Sequence, residues 1–280
     1  MKRADFLLEW TDRLKERINK SEYSVADVRK DFLRLIYDSV YGYYRGIIFY
    51  NLAEFTVKQK IQYLNPVFPK YKVHLSRFVE TFNEPVLRIS HFTSLNRGLL
   101  MDSWSVFEMS ITSLCEVYAN ETEKEKLLHY EANEVLEILR SAKLNDAQVR
   151  KVRKKLSKRH LTHVSITRKM DFLFAKAPHY YGNVKEDKEF LIFFGKLRNA
   201  SHSNFVYSGN DYKYCFGQAH FTFTDGKPVV WSDPFSRPPV YFSPELFTHM
   251  VGRLLDIWEV LINSLPKKDL IPHNEAPSAG

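Results

Sequence analysis

The residues best suited to chemistry lie in one short stretch, FGKLRNASHSNF, residues 194–205. An arginine, two asparagines, two serines and a histidine fall within seven positions, at the end of a strongly apolar run. Arg198 and His202 are four apart, so on a helix they share one face, a turn apart. A planar guanidinium can fork onto an anion, and an imidazole can exchange a proton near neutral pH. Gly195, one turn earlier, leaves the backbone open to close approach. A second reading stays open beside this one. Asn199, Ser201, Ser203 and Asn204 are all good helix-terminal residues, and His202 could bond the last carbonyls of the helix.

These residues need a scaffold that holds them, and the chain supplies helical patterns for most of its length. In LLMDSWSVFEMSITSLCEVYA, residues Leu100, Trp104, Phe107, Ile111, Leu114 and Tyr118 recur at spacings of three and four, which predicts an amphipathic helix. DKEFLIFFGKLRN predicts the helix that carries the polar cluster. Phe32, Leu35 and Ile36 mark an apolar face after a start at Ser24 and Asp27. Thr122 with Glu125, and Asn145 with Gln148, have the spacing of two further capping boxes. Pro66 and Pro69 predict a connection between helices. In YKYCFGQAHFTFTDGKPVVW the pattern changes to alternation. Asp225-Gly226 supplies the turn dipeptide of a two-stranded hairpin at about 212–231. Ser243-Pro244 opens a last helix, with Leu246, Met250, Leu254, Ile257, Trp258 and Leu261 on its apolar side. The expected fold is mainly α, a helical bundle with a small late β-hairpin. An N-terminal helical region is expected over 1–95, accessory or part of the same bundle. The domain bearing the cluster spans 96–265, and 266–280 is a flexible tail.

Composition sets outer limits. With 44% hydrophobic and 26% charged residues, the 280-residue chain can bury a sizeable core. The two cysteines, Cys115 and Cys215, lie a hundred positions apart and lack metal spacing. They fit a reducing compartment, so the expected location is cytoplasmic. No apolar run is long enough for a bilayer span, and the charged start is no signal peptide. The net charge of +8 permits attraction to phosphate. The stretch 149–169 holds nine Lys or Arg and no acid, among them Arg150, Lys151, Arg153, Lys154, Lys155, Lys158 and Arg159. As a helix it is either a cationic rod that contacts a phosphate backbone or a solvated face. His160 and His163 lack a nearby acidic or cysteine partner, so no metal site is expected there. No phosphate-binding glycine loop and no nucleophile elbow is present.

The run Arg198-Asn199-Ala200-Ser201-His202-Ser203-Asn204 resembles the motif of HEPN-type helical domains, in particular the bacterial RNxxHxN variety. The surroundings over roughly 95–265 agree with it: an earlier helix with Trp104, Phe107 and Glu108, a hairpin after the motif, and a closing amphipathic helix. The resemblance implies a helical bundle that commonly dimerises, with two Arg-His motifs across a shared cleft. Many such domains are metal-independent ribonucleases in toxin, antiphage or RNA-processing systems, and others only bind. The nuclease pattern places four to six residues between Arg and His, whereas here three intervene. The resemblance implies that His202 handles protons, Arg198 holds the scissile phosphate, and Asn199 and Asn204 orient the phosphate or the ring. Asp102 or Glu108 would hold Arg198, and segment 149–169 would dock RNA. The expected partners are RNA, a second copy of the chain, and an antitoxin or defence partner protein. No cofactor, no metal and no membrane are expected.

Overall fold

The computed structural model describes residues 2–67, 73, 77, 79–80, 82, 84–128, 139–140, 145–150, 161, 164–232, 234 and 244–268. The fold is mainly helical, with a small three-stranded antiparallel sheet late in the chain. The helices are α1 (Lys2–Lys20), α2 (Val28–Val67), α3 (Pro85–Tyr118), α4 (Ile166–Lys176), α5 (Val184–His202) and α6 (Pro244–Ser264). The strands β1 (Tyr212–Phe216), β2 (Ala219–Phe223) and β3 (Val230–Trp231) come between α5 and α6. Residues 121–128 add a further helical turn or two.

The apolar spacings of the sequence are the buried faces of these helices. Leu100, Trp104, Phe107, Ile111, Leu114 and Tyr118 of α3 are all buried, as are Leu246, Met250, Leu254, Ile257, Trp258 and Leu261 of α6. Phe32 and Ile36 are buried, while Leu35 is half-buried. Helix α2 includes Pro66 and is described as far as Val67, and Pro69 lies outside the described residues.

Caps sharpen the helix starts. Asn145 and Gln148 form the reciprocal pair that their spacing predicts, with Gln148 N donating to Asn145 Oδ1 at 2.9 Å and Asn145 N donating to Gln148 Oε1 at 3.2 Å. The box expected at Thr122 and Glu125 sits two residues earlier. Glu123 N donates to Asn120 Oδ1 at 2.9 Å, and Asn120 N donates to Glu123 Oε2 at 3.1 Å. Asp27, not Ser24, caps α2. Its Oδ1 accepts from Arg29 N at 2.9 Å, and its carboxylate also holds the Arg29 guanidinium at 2.9 and 2.6 Å. Ser243 lies outside the described residues, and Pro244 is the first residue of α6.

The sheet differs from the expected hairpin. Tyr212 pairs with Phe223 and Phe216 with Ala219, so the tight turn is Gly217-Gln218. Gly217 has φ +57° and Gln218 is not in the left-handed region, the pattern of a turn that wants glycine first. Asp225-Gly226 lies in a second turn, with Gly226 at φ +68°. That turn returns the chain as β3, whose Trp231 pairs with Phe221. The alternation continues across both turns, and only the register separates one hairpin from two.

The chain divides into two compact units, each built from segments distant in sequence. The first takes residues 1–21, 33–104 and 193–253. Here Gly46 lets α2 approach α3 closely, since a Cβ at that position would meet Leu95 Cδ2 at 2.6 Å. Tyr50, Val57 and Phe82 form an apolar cluster with Ala53, Val79 and Phe92. Tyr43 OH donates to Asn96 Oδ1 at 2.5 Å. Phe193 of α5 stacks on Tyr214 of β1 at 4.3 Å and packs on Phe221 of β2 at 4.7 Å, so the inner face of the sheet covers α5.

The second unit takes residues 22–32, 105–192 and 254–280. Its core stacks Phe32 on Trp258 at 4.3 Å, with Phe107 edge-on to Phe32 at 6.3 Å. Lys176 bonds Glu123 at 2.6 Å and holds its carboxyl below the usual carboxylate range. Lys188 pairs with Asp171, and Tyr180 OH donates to Asp187 Oδ2 at 2.6 Å.

Candidate functional site

The polar cluster lies at the C-terminal end of α5, in the first unit. The apolar residues of the run explain how it is held. Phe190, Phe193, Phe194, Leu197 and Ala200 are buried and fix the rotation of the helix. Trp104 of α3 stacks on Phe194 with ring centroids 5.5 Å apart. The closeness expected at Gly195 is used by this same ring, because a Cβ there would stand 3.2 Å from Trp104.

Several cluster residues end the helix. Ser201 is buried, and its Oγ donates to the Arg198 carbonyl at 2.6 Å. Ser203 N donates to the Ala200 carbonyl at 2.9 Å. Asn204 turns the chain with φ +52°, a left-handed conformation that asparagine tolerates better than most residues. Phe205 follows at φ +63°, which a bulky side chain adopts only when packing holds it. It is buried, its ring meets Trp231 at 5.6 Å, and its carbonyl accepts from Val229 N at 2.8 Å. The sheet therefore holds the strained exit from α5 in place.

Arg198 and His202 are not used in this way. His202 is exposed, and among the described residues nothing hydrogen-bonds its ring. Arg198 is half-buried and gives NH1 to Asn199 Oδ1 at 3.0 Å. Its Nε is shut off from solvent with no partner among the described residues, which is costly for a charged donor. A second arginine stands near Arg198. Arg97 of α3 donates from NH1 to Asn204 Oδ1 at 3.1 Å. Cations at a helix C-terminus are favoured by the carbonyl dipoles. Arg97 and Arg198 thus set a positive, hydrogen-bond-donating rim at this end of α5.

The remaining expected residues fall differently. Asp102 is on α3 in the first unit, but among the described residues no hydrogen bond or ion pair joins it to Arg198. Partial desolvation pushes its carboxyl above the usual carboxylate range. Glu108 belongs to the second unit, where its charge supports the ammonium of Lys169. Arg150 is exposed, one turn after the start of the helix capped by Asn145, with Nε donating to the Asp146 carbonyl at 3.3 Å. Lys151, Arg153, Lys154, Lys155, Lys158 and Arg159 lie outside the described residues. Lys169, the last residue of the same basic stretch, is fully buried.

Sequence reasoning missed Arg97. It stands 107 positions from Asn204, and no local pattern connects the two. Among the described residues, no helix is long and apolar enough to cross a membrane, and no group of three or more His, Cys, Asp or Glu is placed to hold a metal ion. No protein-family model, curated protein or solved structure matches the chain, so the likeness to HEPN domains rests on the seven residues 198–204 and their helical setting.

Proposed function

We propose that the chain is a HEPN-like, metal-independent endoribonuclease of the toxin or antiphage-defence kind. The observation that carries this reading is the division of labour at the end of α5. Ser201 and Asn204 do the capping, while Arg198 and His202 are left a turn apart with donors to spare. The Arg198 guanidinium bonds the Asn199 side chain and not a terminal carbonyl, so capping does not account for this pair.

The chemistry follows from the groups. His202 takes the proton from a ribose 2′-OH as the oxygen attacks the adjacent phosphorus. Arg198 sets its planar fork on the phosphate and stabilises the charge that builds on the phosphorane. Arg97 adds a second cation beside Asn204. The bond to the 5′-oxygen breaks, and a second acid protonates that oxygen. A second His202 from a dimer mate, or a water, supplies this proton. The products are a 2′,3′-cyclic phosphate and a 5′-hydroxyl. Asn199 holds the Arg198 fork through the bond already described, and Arg150 with the basic segment docks the RNA backbone.

Incubating the purified chain with mixed RNA in EDTA tests this. Cleavage persists in the chelator, and Arg198→Ala and His202→Ala each slow it by about a hundredfold or more. Retained cleavage in both variants defeats the proposal. A second reading, a non-catalytic HEPN-like module that dimerises and binds RNA or protein, is favoured by the bond between Arg97 and Asn204, which ties part of the rim to the helix cap. It gives no cleavage in any form but RNA retention that Arg198→Ala weakens.

A further inference from the structure

The outer face of the sheet carries a pair of groups that the proposed nuclease does not use. Cys215 on β1 and His220 on β2 are direct cross-strand partners. Both are exposed, and Cys215 Sγ lies 3.1 Å from His220 Nδ1. That is hydrogen-bond distance between a nucleophile and a base, the geometry that nucleophilic catalysis requires. The two side chains ride on a two-residue turn whose register is set on the buried side by Phe221 and Phe223. The His220 backbone is fixed as well, with N donating to Ser232 Oγ at 2.9 Å and its carbonyl accepting from Ser232 N at 3.0 Å.

We propose that Cys215 is a reactive thiol with His220 as its proton acceptor, and that it exchanges with small anionic disulfides of the oxidised-glutathione type. The Sγ proton passes to His220 Nδ1, and the thiolate attacks one sulfur of the disulfide. One S–S bond forms as the other breaks, and the leaving glutathione thiolate takes the proton back from the imidazolium. The anionic character of the ligand comes from Lys213. It lies two residues from Cys215 on the same exposed face, about 7 Å along the strand. On the neighbouring strands that face carries Thr222, Val230 and Ser232 besides His220, none of them charged.

The chain cannot resolve the mixed disulfide itself. Its only other cysteine, Cys115, is fully buried, and burial pushes that thiol up to about 12. Cys215 is therefore a single-thiol modification site, released by an external thiol.

Intact-mass measurement of the full-length chain in oxidised glutathione at mildly acidic pH reads this directly. The wild type gains one glutathionyl group, and Cys215→Ser gains none. His220→Gln reacts about fivefold more slowly, since it removes the proton acceptor that stands beside Sγ. Lys213→Ala slows oxidised glutathione about twofold but not the neutral hydroxyethyl disulfide. A second measurement needs no variant: Cys215 outpaces N-acetylcysteine amide in the same buffer. Equal rates in wild type and His220→Gln, a wild-type rate no faster than the free thiol, or labelling of Cys215→Ser each overturns the proposal. An unchanged preference for oxidised glutathione in Lys213→Ala overturns the assignment of the ligand.

Discussion

At the scale of single residues, Lys169 departs most from what its neighbours in sequence lead one to expect. It closes a cationic stretch, yet it is fully buried, with Nζ donating to Thr112 Oγ1 at 2.8 Å. Burial lowers its pKa, against the opposing charges of Glu108 and Glu116. The sign of the linkage follows. A lysine whose folded value lies below its unfolded value of 10.5 is protonated more readily in the unfolded chain, so stability rises with pH up to that value. Urea unfolding of Lys169→Met shows a flatter dependence over alkaline pH than wild type, with a stability change within about 1 kcal/mol, because an apolar replacement of similar length removes the buried charge. Thr112→Val instead leaves the ammonium without its acceptor and costs about 1–3 kcal/mol in the same assay. Equal pH profiles for wild type and Lys169→Met defeat the argument.

The end of α5 is legible in the sequence at this scale, and its limit is instructive. Asn and Ser beyond an apolar run announce a helix terminus, and Arg198 with His202 announce something more. What the sequence does not carry is which of the six polar residues does which job. That depended on Asn204 entering the left-handed region and on Arg97 arriving from another helix.

At the scale of elements, the exit from α5 separates stability from activity. Asn204→Ala loses tolerance for φ +52° and loses the bond from Arg97, and thermal unfolding shows a loss of about 1–2 kcal/mol. Asn204→Gly restores the backbone but not the bond, so it recovers most of that stability while leaving Arg97 untethered. On the nuclease reading, Asn204→Gly is nearly as stable as wild type yet cleaves RNA more slowly. In the sheet, Gly217→Ala costs about 1 kcal/mol, since open space surrounds the Cβ and only the positive φ opposes it. The helix start expected at Thr122 moved for a local reason. Asn120-x-x-Glu123 and Thr122-x-x-Glu125 overlap as capping patterns, and the choice fell on the residue nearest the end of α3 at Tyr118. Asn145-x-x-Gln148 stands as its spacing predicts.

At the scale of the whole molecule, each compact unit is assembled from separated segments. The first draws on 1–21, 33–104 and 193–253, and the second on 22–32, 105–192 and 254–280. A fragment of residues 1–95 thus lacks the C-terminal part of α5 and the sheet, which belong to the same unit, and the remaining fragment lacks α1 and α2. Neither fragment expressed alone unfolds cooperatively in a thermal melt followed by circular dichroism. A sharp transition in the 1–95 fragment defeats this prediction.

The sequence by itself determined the local features of this protein. The buried faces of α3 and α6, the box at Asn145, the alternation of the strands and the polar end of α5 depend on spacings of two, three and four residues, and such periods are written along the chain. The tertiary structure alone decided the rest. It set the register that makes three strands of an expected two, buried Lys169 beside Thr112, and brought Arg97 to Asn204 and His220 to Cys215. These outcomes depend on which surfaces meet and how far a strand runs before it turns, and no short window of residues encodes that.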